Sequence, residues 1–474
     1  MLLPMKLCKN KIHFVRTQNS IALLAASIFA AFSLCAFADE AKPVSYYHDL
    51  VPILKRSCTG CHQPAKTKGE LDVTTFAVLK KGGKHGATFT PGDPKKSELI
   101  DQISGSEPSM PKEGDALSKV EVALFEKWIR DGAKDDAPDL ANEFKLAKPP
   151  EYSVPPVISA LMFSPDGKIL AVSGYHEVLL HKPDGSGLIA RLVGESPRVE
   201  SIAFSADGKR IAVSGGAPAL FGEIQIWDTE THQELKSFKI SNDSLYGVNF
   251  SPGGSRLAFG CADKSLRAIS AADGKELMKF DNHSDWVFGA FFTHDGKRVL
   301  SCSRDRAMKL IDANNGQFID DINKLLEGIL CFARHPKKDR VVCGGDLGTP
   351  RIYKISDNQN RTSGNIDVNL IRELERQPGP VHAVSFSPGG SRVAVGGMGG
   401  EVRIYKVSEG NRLATLKGHE GAIFSITFNP KNNQIATGGY DGKVRIFNSE
   451  SGDLIKDFIP VPIQAEKKLA AASQ

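Results

Sequence analysis

A multidomain chain, with a small all-α domain followed by an all-β seven-bladed propeller, is the fold class this 474-residue sequence predicts. Three observations carry the prediction. A Cys-x-x-Cys-His motif at residues 58–62 lies among short apolar patterns of helical spacing. After residue 156, one phrase of two apolar strands joined by a Gly-rich or polar turn recurs seven times. A proline-dense stretch separates the two patterns. Composition agrees: 41% apolar and 24% charged residues exclude wholesale disorder and a polytopic membrane protein.

The first 38 residues read as an export signal. Lys6, Lys9, Lys11 and Arg16 form a basic start with no acid, residues 21–34 (IALLAASIFAAFSL) are apolar, and Ala36-Phe37-Ala38 is a small-residue cleavage site. The apolar run falls short of the roughly 20 residues that span a bilayer as a helix. Cleavage after Ala38 is therefore expected, with a periplasmic or otherwise exported mature chain. Without this segment the formal charge falls from +5 to +1, so no electrostatic case arises for nucleic acid or an anionic membrane.

Residues 39–134 form the helical domain. The pattern Cys58-Thr59-Gly60-Cys61-His62 is the attachment signature of c-type haem. Two thiols at that spacing on one helical turn can add to the two vinyl groups, and the adjacent His then faces the iron. A thioredoxin-like dithiol would need a βαβ context. A zinc site would need a second ligand pair, and residues 39–150 hold no further Cys. Haem attachment is completed outside the cytoplasm in bacteria, so the export signal agrees with it. The sixth iron position falls to Met110 in Pro108-Ser109-Met110-Pro111, a soft thioether that raises the potential. His85, His48 and an open site are the alternatives. Residues 46–57 (YYHDLVPILKRS) predict a helix that begins or bends at Pro52. Residues 91–94 are a turn and 97–103 a short helix. Ser118 with Glu121 is a capping box, opening a helix with Val122, Phe125, Trp128 and Ile129 on one face and Gly132 after its end.

The segments "VPILKRSCTGCHQP", "PGDPKKSELIDQI" and "MPKEGDALSKVEVALFEKWIRDGA" resemble the planctomycete-type cytochrome c domain, a single-haem module. The resemblance covers most of residues 45–134. It implies one covalent haem c on Cys58 and Cys61, with His62 as proximal and Met110 as distal ligand. The family often shows Met-Pro-Pro where this chain has Met110-Pro111-Lys112.

Residues 135–156, with Pro138, Pro149, Pro150, Pro155 and Pro156, read as a semi-rigid linker. The array then spans 157–463, followed by a tail at 464–474. Its phrases are anchored by Phe163, Phe204, Phe250, Phe292, Phe332, Phe386 and Phe428. A period of roughly 40–45 residues with short strands is the mark of a propeller, in which each repeat buries its faces only against neighbours. The array resembles the WD-repeat β-propeller family, although only Trp227-Asp228 keeps the namesake dipeptide. Gly418-His419 with Asp441 matches the family's hydrogen-bond network, with Phe447 replacing its Trp, and Asn282-His283 with Asp305 is a weaker copy. That resemblance makes these residues supports of the fold. The final repeat supplies its own fourth strand, "DLIKDFI" at 453–459, which leaves the closure of the ring undetermined. Cys261, Cys302 and Cys343 fall at nearly one place in three repeats, where others have Gly174, Gly215, Gly397 and Gly439. Buried free thiols are expected in this small-residue slot, a Cys331–Cys343 bridge being the alternative. Residues 357–378 and 216–222 are candidate interaction loops.

No nucleophile elbow, H-E-x-x-H motif or phosphate loop is present, and the histidines of the array show no metal-like spacing. The expected function is one-electron transfer through a covalent haem rather than enzymatic turnover. The array would dock a redox partner protein or hold an assembly. The alternative is a haem-based ligand sensor or peroxidase-like enzyme with a labile sixth iron ligand.

Overall fold

The computed structural model describes residues 43–63, 66–112, 114–136, 146, 148–324, 326–356 and 367–464. The expected export signal, much of the expected linker, part of the 357–378 insertion and nearly all of the expected tail lie outside the described residues. The chain divides into two compact units, Met1–Leu140 and Ala141–Gln474.

The first unit is helical. The Ser45 hydroxyl accepts from the His48 amide and starts one wide turn, Tyr46–Leu50, which runs into α1 (Val51–Ser57). Pro52 occupies the first turn of α1, where its missing N–H leaves no hydrogen bond unmade. A helix that the sequence reading omitted follows: α2 (Phe76–Lys81), capped by the Thr75 hydroxyl and ended at Gly82, whose φ is 79°. A Cβ at Gly82 would meet the Gly86 carbonyl, so glycine is required there. The turn at 93–96 leads into α3 (Glu98–Ile103), and α4 (Lys119–Arg130) opens on the expected capping box of Ser118 and Glu121. One apolar core joins Leu50, Leu54, Leu79, Phe89, Phe125 and Ile129 around Trp128 and Tyr46, whose rings stack at 5.5 Å.

The second unit is all β, in six sheets: five of four strands and one of seven. The seven-stranded sheet contains two repeats, because Leu188–Phe204 is one continuous strand that pairs with Tyr175–His181 at one end and with Arg210–Ala217 at the other. The seven repeats thus give seven sets of four antiparallel strands. An apolar core lies between each set and the next. A seventh core joins the last set to the first through Leu161, Phe163, Val172, Ala436, Val444 and Ile446. The Leu161 amide donates to Ser425 Oγ (2.9 Å) and the Ile158 amide to the Gly439 carbonyl (3.0 Å) across the same junction. The last set takes its fourth strand, Leu454–Phe458, from its own repeat, so no strand is exchanged to join the ends. Residues 150–152, read as linker, lie against the first set. The Pro150 carbonyl accepts from Arg191, Tyr152 is buried, and Tyr152 bridges in parallel to Ile463. Among the described residues no helix is long and apolar enough to cross a membrane.

Register corrects the sequence reading at the fifth anchor and at the small-residue slot. The last paired residue of the first strand is Phe163, Phe204, Phe250, Phe292, Phe386 or Phe428 in six sets, but Arg334 in the fifth. Phe332 is therefore not the fifth anchor; it lies two residues too early. The small-residue slot is one register position held by Gly215, Cys261, Ser303, Gly345, Gly397 and Gly439, with Cys302 and Cys343 one and two residues before it. No Cys331–Cys343 bridge forms: Cys343 pairs with Phe332 while Cys331 pairs with Gly344, so the two thiols lie on opposite faces of the sheet and pack into different cores. Of the expected loops, 216–222 is largely strand, with Arg210–Ala217 and Phe221–Asp228 closing tightly, and the 357–378 insertion supplies the strand Leu370–Glu373.

Candidate functional site

The Cys-x-x-Cys-His motif follows α1 directly. The Cys58 amide still donates to the Leu54 carbonyl (2.8 Å), but at φ −123° the chain leaves the helix. The Cys61 and His62 amides then both donate to the Cys58 carbonyl at 3.1 Å. The two cysteines and the histidine are thus gathered by one further turn, closed on the Cys58 carbonyl, after α1 has ended. His62 opens a two-stranded hairpin, His62–Gln63 with Lys66–Thr67. The Lys68 amide donates to the Cys61 carbonyl and the Val73 amide to the His62 carbonyl, each at 3.1 Å. The motif is therefore tied to its surroundings on both sides.

Both motif cysteines are free thiols and half-buried. Burial pushes the Cys58 thiol up to about 11, with Arg56 as the opposing charge. That is the reverse of the lowered thiol of a dithiol oxidoreductase. His62 Nδ1 is buried and has no hydrogen-bond partner among the described residues. Leaving a buried ring nitrogen unsatisfied costs roughly 1–3 kcal/mol, so the position suits a ligating imidazole better than a packing one. Among the described residues no group of three or more His, Cys, Asp or Glu could hold a metal ion by itself. The donor set of two unpaired thiols and an unsatisfied imidazole therefore fits a group carrying its own metal and reacting with sulfur, as haem c does.

Met110 packs against the same apolar core as Cys58, although 52 residues separate them. Its amide donates to the Gln102 carbonyl (2.9 Å) in α3, which fixes the loop. The alternatives His48 and His85 are both exposed. Sequence reasoning missed Tyr46: among the described residues of this unit its hydroxyl is the other buried side-chain polar atom without a partner, and its ring touches Phe76 and Trp128. No sequence pattern marks it, since Tyr at the start of an apolar helix is ordinary.

In the second unit the expected histidine pairs form. His419 Nδ1 lies 3.1 Å from the Asp441 carboxylate and Nε2 2.8 Å from Thr437 Oγ1, with Arg445 donating to Asp441 at 2.6 Å. His283 repeats the arrangement with Asp305 (2.7 Å) and Ser301 (2.8 Å). Phe447 is buried on the strand beside the first pair.

Among curated proteins none matches the chain. A cytochrome c family segment implies binding of haem c, and WD-type repeats imply interaction with protein. Residues 58–114 match the family model described as Planctomycete cytochrome C, and residues 274–312, 368–406 and 410–448 match that described as WD domain, G-beta repeat, so the chain joins a cytochrome c-like segment to WD-type repeats.

Proposed function

We propose that the protein is an exported c-type cytochrome that transfers single electrons and is not an enzyme, with a seven-bladed propeller as its protein-docking platform. In this reading residues 1–38 are removed on export to the periplasm. Residues 39–134 hold one haem c, residues 135–156 link the domains, residues 157–463 are the propeller and residues 464–474 a tail. Cys58 and Cys61 would hold the haem through thioether bonds, and His62 and Met110 would ligate its iron. The observation that carries the reading is the pair of unpaired thiols beside an imidazole with a buried, unsatisfied nitrogen, inside the segment that matches a cytochrome c family. A haem held there supplies a one-electron iron couple. The chain's own part is to position it: the turn on the Cys58 carbonyl sets both sulfurs and the imidazole, and the α3 contact holds the Met110 loop. The core around Trp128 excludes water from that side, which favours the less charged, reduced state. The return of apolar cores from the seventh set to the first supports the propeller reading.

The test is the absorption spectrum and intact mass of protein exported from a host that attaches haem. One added haem mass is expected, together with the ferric methionine–iron band near the red end of the spectrum, lost in Met110→Ala. A band that survives Met110→Ala sinks the distal assignment. A high-spin ferric spectrum in the unaltered protein supports the labile-ligand reading instead. A colourless product removes the redox function.

A further inference from the structure

Two stretches outside the strand repeats cross the junction between the last set and the first, in opposite directions. One runs from residue 150 to residue 158. It starts on the first set, where the Arg191 guanidinium donates to the Pro150 carbonyl at 2.7 Å and Tyr152 is buried. It ends on the last set, where the Ile158 amide donates to the Gly439 carbonyl at 3.0 Å. Between these points Pro155 lies so near Gly442 that a Cβ there would meet it at 2.5 Å. The other stretch leaves the last set after its fourth strand, Leu454–Phe458, and reaches the first set. His181 Nε2 donates to the Pro460 carbonyl at 2.9 Å, and Val461 is buried with Leu179 and Tyr152 in a small core. The two stretches are also bonded to each other. Tyr152 bridges in parallel to Ile463, and the Gln464 amide donates to the Tyr152 carbonyl at 2.9 Å. Chain from the two ends of the array therefore meets at one tyrosine.

The first set is shaped to receive that tyrosine. The Tyr152 hydroxyl donates to Glu177 Oε1 at 2.7 Å and accepts from the Tyr175 amide at 3.0 Å. Glu177 is only 1% exposed and also receives Nε and Nη2 of Arg191, each at 2.7 Å. A carboxylate at that depth is costly when a donor is withdrawn, so Tyr152 belongs to the site and is not a passing contact. Proline shapes both stretches. Pro150, Pro155 and Pro156 in one, and Pro460 and Pro462 in the other, fix φ and lack an N–H. They pre-set the path, which lowers the entropy lost on fastening, and they keep either stretch from joining a sheet as a further strand. Fastening thus rests on a lone bridge, a few hydrogen bonds and a small core, contacts of the kind that open locally without global unfolding.

We propose that residues 150–158 and 460–464 form a strap that holds the last set against the first, and that release of either stretch frees the other and loosens the junction. The strap takes the place of an exchanged strand, since the last set draws all four of its strands from its own repeat. It lies wholly in the second unit and does not depend on haem.

The experiment is hydrogen exchange, read by mass spectrometry of peptides, on the full-length haem-loaded protein, on Tyr152→Phe, on Val461→Ala and on a chain ending at Ile459. The shortened chain is expected to exchange the peptides that carry the Ile158 and Leu161 amides roughly ten- to a hundredfold faster, the range for losing a small apolar contact and two hydrogen bonds. Peptides from the junction between the third and fourth sets should exchange as before. Val461→Ala should give the same pattern more weakly, and it carries the test if the shortened chain does not fold. Tyr152→Phe keeps the ring and removes the hydroxyl, and it should speed exchange at the other end of the array, over residues 461–464. In the double variant Tyr152→Phe with Val461→Ala, the loosening should fall short of the sum of the two, because each releases the same strap. Unchanged exchange around Ile158 and Leu161 in the shortened chain, or in Val461→Ala should that chain not fold, overturns the proposal. So does an equal rise at every junction, which marks general destabilisation, and so does strict additivity in the double variant, which makes the two stretches independent.

Discussion

Guanidiniums latch neighbouring sets of this chain together in two ways. Arg210 and Arg256 lie on phenylalanines and seal one set to the next, whereas Arg334 replaces the phenylalanine itself and donates to the Phe292 carbonyl of the neighbouring set. The sequence contained this distinction in a form that an aromatic count hides. Arg210, Arg256, Arg298, Arg340 and Arg392 each follow the anchor by six residues, and counting back from Arg340 reaches 334, not Phe332. Other single residues were readable outright, among them His283 with Asp305 and His419 with Asp441. Burial acts first to raise both carboxyls, but the hydrogen bonds and charges of His283 on Asp305, and of Arg445 and His419 on Asp441, outweigh it and hold each at about 2. A carboxylate whose folded pKa is depressed stabilises the fold above its unfolded value. That stability is lost as pH falls from about 4 through about 2, on the order of 2 kcal/mol for each group. Denaturant unfolding of the β unit, followed from neutral pH to pH 2, should show this loss. Asp305→Asn and Asp441→Asn should be less stable at neutral pH and flatten the acid limb. An unchanged limb in the double variant would mean that other groups govern acid unfolding.

At the scale of the element, caps explain why the helical patterns were legible and where they were not. The Ser118 hydroxyl accepts from the Glu121 amide, and the Glu121 carboxylate accepts from the Ser118 amide at 2.8 Å. Glu121 also receives Arg56 from α1 at 2.5 Å, so one residue closes a helix and ties it to the end of the helix that precedes the motif. The Arg56 hydrogen bond, with those of Ser118, holds the Glu121 carboxyl down at about 2. Ser118→Ala should cost about 1 kcal/mol of the helical unit's stability, read by chemical unfolding followed at Trp128. Ser118→Asp, which keeps a capping oxygen, should recover most of the loss. Helix α2 had its own signal in Thr75 and Gly82, but six residues carry too little periodicity to announce a helix. The motif turn shows the opposite error. Cys-x-x-Cys spacing fits a helical turn, and the Cys61 and His62 amides do turn back to the Cys58 carbonyl, but α1 itself ends before them, at Cys58 with φ −123°.

For the whole molecule, the repeat pattern declared seven units but not how the first meets the last. The junction core around Leu161 and Val444 resembles the others, and the Leu161 amide reaches Ser425 across it. If this junction is as firm as its neighbours, Leu161→Ala should cost about 2–5 kcal/mol, the same as Leu266→Ala in the core between the third and fourth sets. Denaturant unfolding of the two variants decides it, and a far smaller loss at Leu161 would mean an open array. The amino-acid sequence by itself determined the strand phrases, their number, the capping box and the grouping of two thiols with a histidine, because each depends on neighbours within a few positions. Tertiary structure alone decided three things. It satisfied the backbone of His62 and left its Nδ1 without a partner. It seated Met110 against the core that also holds Cys58. It bridged Tyr152 to Ile463 across the two ends of the array. The last two join residues far apart along the chain, and only packing fixes such distances.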